Sequence, residues 1–319
     1  MKVVVASAKI DEKFSYKANH YHDVWKYFPC ECVVCYSAEE VRREVQDADV
    51  VLLECCRAIK YKGALHFLNE LPVLIGAFYN DVWRGPWWAD SSIRTDAHFC
   101  VYRTAALRLA HKWNGSFVWV PPRMEVQEYD VPRDIDIVCW GAMTGGLYPM
   151  RRYMKQALAR CTTSTYEAAD LYLTTHNANI HGRTYKYALL HRSGGATYYG
   201  PKLWELLCKC KVCATGPVRP SEARGVRAAV GKYFENAACG IVTISNTFDD
   251  MEDLGFKHGK NIWITSEERF IEELAYLLEH SDLVQEMSKN AKELIRTKHT
   301  PSIRAKELYG YLCERTGKV

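Results

Sequence analysis

The stretch Gly231-Lys232-Tyr233-Phe234-Glu235-Asn236-Ala237-Ala238-Cys239-Gly240, followed by Ile241-Val242-Thr243-Ile244-Ser245, constrains the fold more than any other. It reads as a short helix closing on a glycine, the residue that suits the left-handed conformation ending a helix. The helix feeds a strand that is apolar and β-rich from Ile241 to Ile244, so both faces of that strand need cover. Such a strand belongs inside a parallel sheet flanked by helices. Lys232 and Glu235 are three apart and share one helix face. A cation and a carboxylate beside a helix start, at the carboxyl edge of a parallel sheet, suit a nucleotide: phosphate on the cation, ribose hydroxyls on the carboxylate. An ordinary surface ion pair would give the same pattern, so the spacing alone leaves both readings open.

The rest of the chain repeats the logic. Strands at Val3–Ala6, Glu31–Tyr36, Asp49–Leu53, Val73–Phe78, Phe99–Tyr102 and Phe117–Val120 alternate with helical stretches at His20–Phe28, Glu39–Asp47, Leu65–Leu71 and Arg103–Trp113. This alternation predicts a parallel, doubly wound sheet. Pro121-Pro122 punctuates the chain before it restarts at Asp136–Trp140. Gly141 then opens a loop through Thr144, Gly145 and Gly146 into a helix at Met150–Ala159. A strand, a glycine-rich turn and a helix start gather backbone N–H groups around an anion. Helices are expected again at Pro201–Lys209, Glu267–His280, Leu283–Lys298 and Ile303–Arg315, with a strand at Lys211–Ala214. The aromatic and basic text from Leu171 to Gly200 has no assignment.

Composition bounds the partners. The 319 residues are 48% hydrophobic and 25% charged, enough for two domains of ordinary size. No apolar run approaches the ~20 residues that span a bilayer, and the first strand is too short for a signal peptide. The expected location is therefore the cytoplasm, where the 13 cysteines stay reduced. Cys30-x-Cys32-x2-Cys35 and Cys208-x-Cys210-x2-Cys213 share a spacing that resembles a zinc cluster. Each runs into an apolar strand, where alternate residues face opposite sides, so buried thiols are the expectation. Residues 131–232 hold 15 Lys/Arg and 6 Asp/Glu, a net +9 within a total of +4. That excess is either a solvated basic face or a surface for a polyanion such as DNA.

Lys232-Tyr233-Phe234-Glu235-Asn236-Ala237-Ala238-Cys239-Gly240 resembles the Arg/Lys-x-Phe-Glu-x-x-Ala-x-Gly signature of group 1 nucleotide-sugar glycosyltransferases, in the branch that includes spore-maturation-type proteins. Gly259-Lys260-Asn261-Ile262-Trp263 resembles the family's Gly-x-Asn strand, Ser266–Leu278 its next helix, and His299-Thr300 with Arg304 its closing motif. The resemblance covers about residues 130–160 and 200–312; the N-terminal half is similar only in layout. It implies an α/β fold of the GT-B type, two facing Rossmann-like domains with a C-terminal helix crossing back. The expected boundaries are 1–130 for an acceptor domain, 131–300 for a nucleotide-sugar domain and 301–319 for the returning helix. It further implies a hexosyl- or pentosyltransferase with a nucleoside-diphosphate sugar as donor, and no other cofactor and no metal. Donor-side residues on this reading are Gly141, Thr144, Arg151, Lys232 and Glu235; Arg151, after the glycine loop, either contacts phosphate or caps a surface helix.

One departure matters. Many group 1 enzymes carry Glu-x7-Glu; Glu235 fits the second position, but the first is Arg227. Arg227 is a candidate for stabilising the departing diphosphate, and Glu222 or Asp249-Asp250 for replacing the missing carboxylate. Stereochemistry is left open. Other catalytic candidates are His20 and His22, after the first strand, and Asp81; an imidazole of pKa near ~6.5 suits a base for a hydroxyl acceptor. Trp83, Arg84 and Trp87 are candidates for stacking on a sugar or on an extruded base. The acceptor is accordingly a saccharide-type hydroxyl or a hydroxymethylated DNA base. A sugar-nucleotide epimerase of the same fold and a non-catalytic nucleotide-sugar-binding protein are the alternatives.

Overall fold

The computed structural model describes residues 1–7, 23–54, 63–79, 93–109, 116–141, 145–170, 173–190, 200–219 and 225–318. Several predicted site residues, His20, His22, Asp81, Trp83, Arg84, Trp87 and Thr144, lie outside them, as does Glu222. The described residues form two compact units, one from 1–123 with 301–318, the other from 124–300.

The first unit is built on a six-stranded parallel sheet ordered β2-β1-β3-β4-β5-β6. Its strands are β1 (Lys2–Ala6), β2 (Glu31–Cys35), β3 (Val50–Glu54), β4 (Leu74–Tyr79), β5 (Ala97–Cys100) and β6 (Ser116–Trp119). Val3, Val4, Val5, Val50, Val51 and Leu52 are fully buried, as strands covered on both faces require. Helix α1 (Ala38–Glu44) begins at Ser37, whose hydroxyl accepts from Glu40 N at 3.1 Å, while the Glu40 carboxylate accepts from Tyr36 N at 2.6 Å. This reciprocal arrangement is a form of capping box. Helix α2 spans Arg103–Leu109.

Two predicted helices are short 3-10 helices over their described residues, with 20–22 of the first lying outside them. Trp25–Tyr27 stands where His20–Phe28 was expected, and His66–Glu70 where Leu65–Leu71 was. Both stop before a proline: Phe28 and Leu71 are extended, at ψ 133° and 143°, because the ring of Pro29 or Pro72 excludes the helical region from the residue before it.

The second unit holds a seven-stranded sheet ordered β13-β12-β11-β7-β10-β9-β8. Its elements in chain order are β7 (Ile135–Trp140), α3 (Pro149–Arg160), β8 (Thr162–Asp170), β9 (Leu173–Ile180), β10 (Arg183–Leu190), α4 (Pro201–Cys208) and β11 (Cys210–Ala214). There follow α5 (Gly231–Ala238), β12 (Val242–Ser245), β13 (Trp263–Ile264), α6 (Phe270–Glu279) and α7 (Ser281–Lys298). Strands β13 to β10 run parallel, and β9 and β8 continue as an antiparallel meander. β9 and β10 occupy the described part, 173–190, of the stretch to which the sequence assigned nothing. Their hairpin turns at His181-Gly182, both at positive φ (51° and 81°), the two-residue loop whose twist matches the strands.

The core of this unit joins Ile137 and Cys139 of β7, Met154 and Leu158 of α3, Val212 of β11, Ile244 of β12 and Phe270 and Leu274 of α6. Helix α5 closes as predicted. Gly240 N donates to Ala237 O at 3.0 Å and Ile241 N to Asn236 O at 2.9 Å, with Gly240 at φ +70°, a Schellman motif. Arg133 adds a cation to the same end, donating to Gly240 O at 2.7 Å and Cys239 O at 3.2 Å.

Helix α8 (Pro301–Thr316) belongs to the first unit, where Tyr311 meets Phe99 edge-on at 5.5 Å and Arg304 Nε donates to Pro121 O at 3.0 Å. The cysteine triplets follow the expectation of buried thiols in part, since Cys30 and Cys32 are half-buried and Cys208 ends α4 rather than lying on a strand. Cys35, Cys208, Cys210 and Cys213 are buried free thiols, and burial pushes Cys213 up to about 12. Among the described residues no group of three or more His, Cys, Asp or Glu gathers as metal ligands.

Candidate functional site

The chain leaves β7 through α3 and the meander to reach β10 on one side, then crosses to β11 on the other. β7 and β11 therefore flank the point where strand order reverses, the place in an open parallel sheet where the connections diverge and a crevice opens at the carboxyl ends. Four described segments converge on that edge: Trp140-Gly141 at the end of β7, 215–219 after β11, the start of α5, and 246–250 after β12.

Gly141 is at φ +91°, and a Cβ built on it would stand 1.8 Å from Lys232 Cε. The lysine stem therefore crosses directly over the glycine, and only a residue without a side chain permits it. Lys232 Nζ ends 3.8 Å from the centroid of the Trp140 ring, a cation–π contact. The indole is anchored in turn. Trp140 Nε1 donates to Asn236 Oδ1 at 3.0 Å, and Asn236 Nδ2 donates to Thr243 Oγ1 at 3.0 Å. One turn along, Glu235 is 5% exposed. Tyr233 is fully buried, its hydroxyl 2.7 Å from Ser245 Oγ, and burial pushes its pKa upward.

Arg227 lies on the segment that leads into α5. Val218 and Ala228 pair as an antiparallel bridge, drawing the two arms of the loop after β11 together. Asp249 ties this loop to the one after β12, accepting from Arg227 N at 2.8 Å while its own N–H donates to Arg227 O at 2.7 Å. The Arg227 guanidinium donates to Thr247 Oγ1 at 3.1 Å. Of the candidate replacement carboxylates within the described residues, Asp249 thus holds backbone, and Asp250 takes the left-handed conformation at φ 60°.

Arg151 is placed differently from Lys232. It is 1% exposed, its Nη2 donates to Gly216 O at 3.0 Å, and its guanidinium lies 4.1 Å from the Tyr148 ring centroid. Burial pulls its pKa down from the usual value. It fastens the turn after β11 to the first turn of α3.

The structure therefore brings Gly141 and Lys232 into contact and sets Glu235 one turn beyond. Sequence reasoning missed Trp140, Asn236 and Thr243. The signal available was a tryptophan as the last residue of a strand, immediately before the predicted glycine. A second buried polar group, also unpredicted, closes the equivalent edge of the first unit. There the carboxylate of Glu54, last residue of β3, accepts from Ser7 Oγ and from Trp25 Nε1 at 3.1 Å.

Two parallel-dominated sheets, each with such a reversal of strand order, define an α/β protein of the GT-B glycosyltransferase type. Residues 152–310 match the family described as glycosyl transferase-like. Three solved structures share the fold along the whole chain. HepE of Anabaena, solved in complex with UDP, aligns with a TM-score of 0.64 at 9% identity, over 98% of this chain and 100% of its own. A glycosyltransferase from Rickettsia africae aligns at 0.60 and 9% identity, over 98% of each chain. Sucrose-phosphate synthase from Thermosynechococcus elongatus aligns at 0.56 and 9% identity, over 99% of each. No curated protein sequence matches the chain.

Proposed function

We propose that the protein transfers a glycosyl group from a nucleoside-diphosphate sugar to a hydroxyl acceptor, with the donor nucleotide on the second unit. The observation that carries this reading is the path of Lys232 across Gly141 at the reversal of strand order. A cation there, with the backbone N–H groups that open α5, neutralises a diphosphate. Glu235 takes the ribose hydroxyls, and Arg227 stabilises the charge that builds on the leaving diphosphate. HepE has been solved with UDP-glucose as well as UDP, which favours a uridine donor as the first to try. Within the family, the Lys232–Gly240 signature aligns the chain with the spore-maturation branch.

For the acceptor we favour a saccharide-type hydroxyl over DNA. Many cations of the basic stretch are engaged within the unit. Arg133 and Arg151 bind backbone carbonyls, while Lys186, Lys209 and Lys211 pair with Asp134, Glu205 and Asp136 at 3.0, 3.1 and 2.7 Å. The net +9 already counts these three acids, but a buried arginine such as Arg151, 1% exposed, cannot reach a nucleic-acid backbone.

Thermal-shift titration with UDP, GDP, ADP and their sugar conjugates tests the donor. A ligand at one hundred times its Kd raises stability by about 2.7 kcal/mol. A hit followed by sugar transfer to an acceptor supports the transferase. Isomerised donor without acceptor marks an epimerase, and silence across the panel removes the reading.

A further inference from the structure

The site holds its lysine with a device that a phosphate ligand does not by itself require. Lysine carries a long stem of rotatable bonds, and fixing it costs rotamer entropy when a ligand arrives. Here the stem is laid across Gly141, and the ammonium rests 3.8 Å from the Trp140 ring centroid. The ring is not free to turn. Its Nε1–H is donated to Asn236 Oδ1, and because the Asn236 amide nitrogen donates to Thr243 Oγ1, the amide oxygen faces the indole. Trp140, Asn236 and Thr243 are buried at 6%, 0% and 3% exposure, so the array is braced by the core. It links three separate elements at one edge: the end of β7, the middle of α5 and β12.

We propose that Trp140 is a positioning residue: its indole face, fixed by Asn236 and Thr243, holds the Lys232 ammonium where the donor diphosphate meets it. A ring face attracts an ammonium by its quadrupole without using up all three N–H donors. The lysine is thus ordered during folding rather than on binding, and phosphate oxygens find it already in place. The inference rests on Lys232 as the diphosphate ligand.

The test is a double-mutant cycle between Trp140 and Lys232, read by calorimetric titration with three probes: UDP, inorganic pyrophosphate and uridine. Trp140→Leu is expected to weaken UDP and pyrophosphate by about 2- to 12-fold, the cost of immobilising one long side chain, and to leave uridine unchanged. In a Lys232→Met background the same change is expected to cost nothing further. Trp140→Phe, which keeps a ring face but loses the indole N–H to Asn236, is expected to restore part of the loss, and circular dichroism and urea unfolding of each variant check that it is folded. In the ligand-free protein, the Lys232 ε-methylene protons are expected upfield from the ring current, and at ordinary shifts in Trp140→Leu.

Equal losses in both backgrounds, or a loss shared by uridine, would mean that Trp140 serves the fold alone and would overturn the proposal. So would unshifted ε-protons. If wild type binds UDP but Lys232→Met binds it equally well, the lysine assignment falls and the inference with it. If wild type binds none of the diphosphates, the glycosyltransferase reading itself fails first.

Discussion

Glu235 is nearly buried, and a carboxylate out of water is costly unless hydrogen bonds meet it. Its place one turn after Lys232, on a helix that starts at the carboxyl edge, suits a group that meets ribose hydroxyls rather than phosphate. Replacing it with alanine is expected to weaken UDP by about 1.5–3 kcal/mol, the worth of a hydrogen bond to a charged group. Inorganic pyrophosphate, which has no ribose, is expected to bind the variant as well as wild type. Titration of both ligands decides the matter: a folded Glu235→Ala variant with unchanged UDP affinity, or with equal losses for both, would remove the ribose assignment. Arg151 shows why residue type alone does not give a role. An arginine after a glycine-rich loop suggests phosphate, and this one is buried, with Nη2 on Gly216 O and its guanidinium against the face of Tyr148.

At the scale of elements, the join between α5 and β12 is where prediction and structure agree best. Gly240 combines a left-handed backbone with crowding: an added Cβ would meet Arg133 Nη2 at 2.6 Å, Ser288 Oγ at 2.8 Å and Lys292 Cε at 2.9 Å. Gly240→Ala should therefore lose the backbone term of roughly 1–2 kcal/mol and also disturb the Arg133 cap. Urea unfolding measures the sum, and a variant as stable as wild type would show that the Schellman closure is not needed. This join was legible because its information is local: small residues, a glycine, then an apolar run within fifteen consecutive positions. The meander was not. Its strands are rich in Thr, Asn and Tyr, and its buried face comes from residues scattered on alternate positions, Ala178 and Ile180 on β9 and Tyr185, Tyr187 and Leu189 on β10. Only the turn at His181-Gly182 announced it. The same contrast divides the site. Lys232 and Glu235 were readable from a spacing of three. Trp140 and Asn236 are 96 residues apart, a distance over which no periodicity operates, so only the assembled sheet brings them together.

At the scale of the whole molecule, the described chain begins and ends in the same unit, and one carboxylate serves both ends. Asp49, just before β3, accepts from Lys2 N at 2.8 Å, stands 3.9 Å from the Met1 ammonium and pairs with the Lys318 ammonium beyond α8. The hydrogen bond from Lys318 is the largest influence on Asp49 and holds its carboxyl below the usual carboxylate value, against an opposing push from burial. The sign of the pH dependence follows. A carboxyl whose pKa is depressed in the folded state contributes stability above its unfolded value near ~3.9, and that contribution is lost as pH falls through the folded value. Asp49→Asn is therefore expected to be less stable than wild type at pH 7, with the gap narrowing below about pH 4, where the wild-type carboxyl takes up its proton. Because Lys318 is exposed, the gap at pH 7 should also shrink as ionic strength rises. Urea unfolding of both proteins at pH 7, 5 and 3 checks this. A gap that stays constant across the three would show that Asp49 contributes through shape and its bond to Lys2 N, and that the charge joining the two ends of the chain is incidental.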